Sequence, residues 1–273
     1  MSTTSPTLAA PATAVPAASV PAEVGTVPLT RLVGVELRKM FDTRAGTWLL
    51  ASIALTAVLA SAAVVAWAPD PAITFATFGT ALGVPMTVVL PIIAILSVTS
   101  EWSQRTGLTT FTLAPRRGRV LLAKALGVGV VGVTGTLLAF GIGAVGNVVG
   151  ATIAGVDPVW DLSSGEFVRI LLAMNLAVAV GFMLGLVFRG SAAAIVGYFV
   201  YAFVLPTLSQ LLAGFQEWFR DLQPWVDFNT ASSRLYDAAP TGEQWAQLGV
   251  TALLWLALPL AVGTVLTLRS EVK

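Results

Sequence analysis

The chain has 273 residues, 56% hydrophobic and 11% charged, with a mean hydropathy of +0.85 and a net charge of +1. Soluble domains carry about 25% charged residues, so a chain this apolar takes a bilayer as the solvent for much of its surface. It has no Cys and no His, which excludes disulfides, thiolate metal sites, thiol nucleophiles and the commonest general base and transition-metal ligand; the net charge gives no pointer to nucleic acid.

Residues 1–28 are rich in Ala, Pro, Ser, Thr and Val, carry no Lys or Arg, and hold five prolines between Pro6 and Pro28. Proline at that density blocks a regular helix. A secretory leader needs a basic start and an unbroken apolar run. The expectation is a disordered cytoplasmic tail.

In residues 29–44, Leu29, Leu32, Val33, Leu37, Met40 and Phe41 recur at helical spacing, with Arg31, Arg38 and Asp42 opposite. This predicts an amphipathic helix lying at the membrane interface. At 100° per residue Glu36 falls inside the apolar stripe, between Leu32 and Met40. An acid there needs a cation or a route to water. It either snorkels or pairs with a base of the cytoplasmic segment 101–119.

A membrane span needs about 20 apolar residues. Six runs qualify: residues 47–67, 78–99, 120–154, 167–188, 191–213 and 245–268. Pro85 and Pro91 lie in the second, where neighbouring helices must satisfy the carbonyls they free. Lys124 interrupts the start of the third, and Arg169 sits at one edge of the fourth. Gly146 with Gly150, and Gly181 with Gly185, form GxxxG pairs that allow close helix approach, within one subunit or at a dimer face. With six spans, 12 of the 15 basic residues share a side with the N-terminus, whereas nine of the 14 acids lie opposite. That segregation predicts both termini in the cytoplasm, with residues 269–273 as a short cytoplasmic C-terminus.

Span interiors contain no Asp or Glu, where an ion-coupled carrier keeps an intramembrane acid. Asn147, Asn175 and Gln210 are the notable polar residues there, expected to bond a neighbouring helix or to contact substrate. No protease constellation can be assembled, and there is no GxxxxGK[ST] phosphate loop. Energy for any active transport must come from another polypeptide. The loop 214–244 carries Phe215, Trp218, Phe219 and Leu222 on one helical face, followed by Pro224, Trp225 and Phe228. It reads as an anchor helix lying on the outer surface or as a lid over an exit.

Between the second and third spans, Glu101 and Arg105 stand at i, i+4 and extend the second span. Gly107 permits a break, residues 108–114 suit a short helix, and Pro115 stops it. Arg116, Arg117 and Arg119 follow, facing anionic headgroups or a partner. Glu36, Arg38, Lys39 and Arg44, with the run Glu101-Trp102…Arg105-Thr106-Gly107…Thr110…Leu113-Ala114-Pro115-Arg116-Arg117…Lys124, resemble the ABC-2-type permeases, membrane subunits of ATP-binding-cassette exporters. Phe111 and Thr112 split the Thr-Leu pair of that pattern.

The resemblance covers residues 29–268. It implies an all-α integral membrane protein of the bacterial cytoplasmic membrane with six transmembrane helices, an interface helix at 29–44 and a coupling helix at 106–115. The coupling helix would dock in a separate ATPase subunit through Leu108, Phe111 and Leu113, with Glu101, Arg105, Arg116 and Arg117 in support. It also implies a second permease copy or a related permease, ATP and Mg bound only by the partner ATPase, no cofactor or metal in this chain, no catalysis by it, and Asn147 and Asn175 near a substrate pathway. The alternative is a permease-like sensor or assembly factor that transports nothing. A membrane enzyme of lipid metabolism would need a catalytic polar cluster at one face, which the scattered outer acids do not make.

Overall fold

The computed structural model describes residues 27–42, 44–103 and 117–269. The N-terminal tail and the expected coupling helix, with Arg105, Leu108, Phe111, Leu113 and Arg116, lie outside the described residues. What is described is helical, joined by short turns and one isolated bridge between Thr74 and Val159.

Helix α1 is Leu29–Asp42. It is followed by α2 (Arg44–Trp67), α3 (Phe75–Ser103), α4 (Arg117–Ala154) and α5 (Ser164–Phe188). After a two-residue break comes α6 (Ser191–Phe215), then the short helices α7 (Glu217–Val226) and α8 (Phe228–Ser233), and last α9 (Gly242–Arg269). Six of these, α2 to α6 and α9, contain stretches long and apolar enough to cross a membrane. They coincide with the six runs read from sequence, and helical turns extend most of them by a few residues. At 1.5 Å per residue, the 38 residues of α4 reach about 57 Å, well beyond the roughly 30 Å hydrocarbon core.

The bundle is apolar outside as well as in. Leu55, Leu59, Val145, Ile153, Leu208 and Val262 point outward, as suits an apolar solvent rather than water. The inner core joins Ile53, Leu82, Leu90, Met174 and Leu186 from α2, α3 and α5. Closest approach is between α3 and α5. A Cβ at Gly181 would lie 2.5 Å from the Pro91 carbonyl oxygen, and one at Gly185 would lie 3.2 Å from Val98 Cβ. Gly146 and Gly150 likewise face Phe78, Ser61, Ile73 and Val65 of the same chain. Both GxxxG pairs are used in packing within this subunit.

Ends and turns follow local chemistry. A capping box of Ser163 and Glu166 starts α5, and one of Thr241 and Gln244 starts α9. Helix α5 stops at Arg189, which takes the left-handed conformation at φ 52°. That conformation usually falls to glycine; here it turns the chain directly into α6. At the start of α3, Phe75 N–H donates to Val159 O and Ala76 N–H to Asp161 Oδ1. Burial alone would raise the Asp161 carboxyl, but that N–H and the Thr74 hydroxyl hold it below its ordinary value.

Proline sites show how the bundle repairs its own backbone. Pro91 has no N–H for the carbonyl of Thr87, four residues back. The Tyr198 hydroxyl of α6 donates to that carbonyl instead. In α6 the turn 200–204 is π-helical and Leu205 N–H bonds Val200 O. In that register residue 206 would serve Tyr201 O, and residue 206 is Pro. Asn229 Nδ2 of α8 donates to Tyr201 O at 3.1 Å.

Candidate functional site: a buried charge node at the α1 end

Helix α1 lays Leu29, Leu32, Val33, Leu37 and Met40 inward, half-buried, and turns Arg31, Arg38 and Asp42 to the exterior. Glu36 is the most buried residue of this stripe, 4% exposed. It does not snorkel. Lys124 of α4, 5% exposed, places Nζ 2.6 Å from Glu36 Oε2. Lys39, one turn along α1 and near the surface, places Nζ 2.7 Å from Oε1. Lys124 Nζ also donates to Ser97 O of α3 at 3.1 Å.

One ammonium therefore joins three helices. Lysine suits this place because its compact head on a four-carbon stem can present donors in several directions. A Cβ at Gly127, one turn further along α4, would lie 3.8 Å from Glu36 Cβ and from Leu37, so the two helices run in van der Waals contact beside the pair.

Burial by itself would raise the Glu36 carboxyl. The Lys124 charge and the hydrogen bonds from Lys124 and Lys39 outweigh it and hold the group below its ordinary value. Glu36 is ionised at neutral pH. A pair buried this completely contributes little net stability compared with an apolar pair, but losing one partner is costly. The node acts as a joint of fixed geometry. It fastens α1 to the last turns of α3 and the first turns of α4, the two helices on either side of residues 104–116.

The sequence-derived site residues divide as follows. Glu36 and Lys39 are in the node, and Arg38 is exposed on the opposite face. The partner of Glu36 comes from α4, five residues beyond the segment 101–119 named as its source. Backbones of Glu101 and Arg117 fall in the last turn of α3 and the first of α4, but their side chains lie outside the described residues.

Asn147 and Asn175 do not form one site. Asn175 packs at Gly132 of α4, and 15 residues at 1.5 Å put Asn147 about 22 Å further along that helix. Neither bonds a neighbouring helix, one of the two expectations for them. Asn175 Nδ2 donates to Leu171 O, the i−4 carbonyl within α5. Asn147, 0% exposed, donates to Val159 O of the following loop, and its Oδ1 is buried without a partner. Gln210 is exposed on α6.

The loop 214–244 departs from the reading of it as an anchor helix lying on a surface. It does not lie flat across the end of the bundle. It folds back along α6: Arg220 Nε donates to Ala213 O, Gln223 Nε2 to Ser209 Oγ, and Asn229 Nδ2 to Tyr201 O. That descent covers 12 residues of α6, about 18 Å. Of the expected aromatic face, Trp218 stays 62% exposed, whereas Phe228 is buried against Tyr198, Tyr201 and Leu235. Sequence reasoning missed Ser97, Tyr198 and Asn229. For Tyr198 the available signal was Pro91, which leaves the Thr87 carbonyl calling for a donor.

Among the described residues no group of three or more His, Cys, Asp or Glu side chains could hold a metal ion. No protein-family model matches this chain, and no curated protein matches it either.

Proposed function

We propose that this chain is the membrane-spanning permease subunit of an ATP-binding-cassette transporter, exporting a substrate across the bacterial cytoplasmic membrane with ATP hydrolysed by a separate subunit. In this reading the α1 end of the bundle faces the cytoplasm, where the basic residues concentrate. Residues 106–115 are the handle that the ATPase moves, and the chain itself catalyses nothing. Two permease subunits, identical or related, and two ATPase subunits make the working unit, with ATP and Mg held by the ATPases.

The observation that carries the reading is the Glu36–Lys124 node. It ties the interface helix to α3 and α4 beside the segment that bears the family-like motif. A displacement of residues 104–116 would reach α1, α3 and α4 together through it. Transport then follows from a shift between two arrangements of the bundle, driven by nucleotide binding elsewhere.

The test is crosslinking in membranes from a Phe111→Cys variant, which has no competing thiol, alongside purification of the native chain. The expected result is an adduct with a nucleotide-hydrolysing protein that contains a phosphate loop, and no hydrolysis by the chain alone. ATP turnover by the purified chain, or adducts with lipid only, would overturn the proposal.

A further inference from the structure

Arg169 is the one cation in α5, five residues past the helix start at Ser164. A charge in so apolar a helix needs a partner or a route to water. The side chain turns back toward the helix start, and a Cβ at Gly165 would lie 3.6 Å from Nη1. Nη2 donates to Asp237 O at 3.1 Å. Nε is buried with no partner.

No carboxylate among the described residues pairs with this guanidinium. Glu166 stands at i−3, but its Oε2 accepts the Ser163 N–H and hydroxyl in the capping box. A guanidinium carries five donors. The chain offers this one a single acceptor, and a neutral one. The charge is therefore desolvated along its Nε edge and has no counter-ion.

Its surroundings are amphiphilic. Val168, beside Arg169, is 61% exposed, and Leu172, one turn deeper, is 38% exposed. With the exposed Gly165 they make a stripe at i, i+3, i+7. That stripe is open on the best-covered of the six long helices, where half of the most apolar stretch is buried. Toward the start of α5 stand aromatic rings. Trp160 precedes the Ser163 cap and Tyr236 precedes Asp237, and each is about half exposed. Such rings mark the headgroup level of a bilayer.

We infer that Arg169 holds the phosphate of a phospholipid from the leaflet at the end of the bundle away from α1, with an acyl chain laid along Val168 and Leu172. The order of groups fits. The cation lies nearer the start of α5 and the apolar stripe lies deeper, as headgroup and chain lie in a leaflet. A planar fork with unused donors suits phosphate oxygens. A soluble anion would meet the charge but gain nothing from the stripe. The inference rests on the placement of Arg169 and stands whether or not the chain transports anything.

The test uses two photoactivatable probes with identical diazirine-bearing acyl chains, a phosphatidylglycerol and the diacylglycerol that lacks its phosphate. Both are added to the purified chain in maltoside micelles. On the unaltered chain, phosphatidylglycerol should label residues 165–172 about five- to tenfold more than diacylglycerol. The two probes should label residues 137–145 of α4 alike, where Leu137 and Val145 also face outward. Arg169→Gln should bring phosphatidylglycerol down to the diacylglycerol level at 165–172 and leave 137–145 unchanged. Excess inorganic phosphate should not displace the lipid adduct. Equal labelling of 165–172 by both probes, or labelling that survives Arg169→Gln, would overturn the site. Loss of the adduct to inorganic phosphate would replace the lipid by an aqueous anion. The first comparison needs no substitution, so it decides the matter even if Arg169→Gln does not fold.

Discussion

The node beneath α1 and the segment between the π turns treat polar groups in opposite ways. At the α1 end, two full charges are buried and closed on each other, with a main-chain oxygen of α3 taking up a further donor of Lys124. In α6 the main chain is left short of a donor by Pro206, and the repair comes from a side chain of a segment that folds back; in α9 the π turn Leu253–Ala257 instead supplies a donor to that segment, Trp255 Nε1 to Val226 O. Buried charge that is paired on all sides gives a joint with one geometry, because every displacement exposes an unpaired ion. A main-chain gap covered by one neutral amide is held by a single hydrogen bond and carries no ion to strand. The bundle thus closes charge on charge beneath α1 and covers a main-chain gap with a neutral side chain in α6, and the difference lies in what is unmade when each contact is lost.

The largest effect should come from breaking the stiff joint. Lys124→Ala leaves a buried carboxylate with Lys39 alone and should cost about 3–5 kcal/mol, read as a loss of thermal stability in detergent. The double change Glu36→Gln with Lys124→Ala should recover part of that loss, and a double-mutant cycle gives the coupling. An uncoupled, additive result would mean the pair is not a joint. The same pair predicts the acid limb of stability. Because the Glu36 carboxyl is held below its ordinary value of 4.5 in the folded chain, its contribution is full above that value and is lost as pH falls through the lower, folded one. Glu36→Gln should flatten this limb.

Much of this architecture was readable beforehand, for reasons that differ by element. Twenty apolar residues in a row leave a helix few other places to be, so the six long helices were legible to within a few residues. Placing Glu36 in the stripe of α1 took only 100° arithmetic. Its partner was harder, because Lys124 reads as a flaw at the edge of an apolar run until α1 is laid against α4. Asn175 does not make the neighbouring-helix bond, because its Nδ2 is taken by the i−4 carbonyl of its own helix. The return of residues 217–233 along α6 was not legible. It depends on Asn229 reaching Tyr201 O, which Pro206 leaves open only in the π register, and no local pattern announces that register.

A smaller effect tests the packing that the stiff end relies on. Gly181→Ala would set a methyl 2.5 Å from Pro91 O and 2.9 Å from Pro91 Cα. Those are main-chain atoms in the middle of α3, which cannot turn aside as a side-chain tip can. Separating α3 from α5 should cost about 1–3 kcal/mol. Gly141→Ala meets nothing within 4 Å and should stay within about 0.5 kcal/mol of the native chain. Equal behaviour of the two variants would mean that α3 and α5 are not in the close contact described.

The smallest effect belongs to the turn that closes α3 at the end away from α1. Asp161 Oδ1 accepts the Ala76 N–H across 85 residues of sequence, doing for α3 what a cap residue usually does from the adjoining position. The site is exposed, so solvent screens the charge and the expected loss for Asp161→Asn is below about 1 kcal/mol. Asparagine keeps an acceptor oxygen, which separates charge from hydrogen bonding. Asp161→Ala should lose more than Asp161→Asn, and the gap between them should not change with salt. If the two variants are equal and native stability falls with salt, the contact is an electrostatic attraction to the helix start rather than a cap, and the loop between α4 and α5 is held to the start of α3 through Val159.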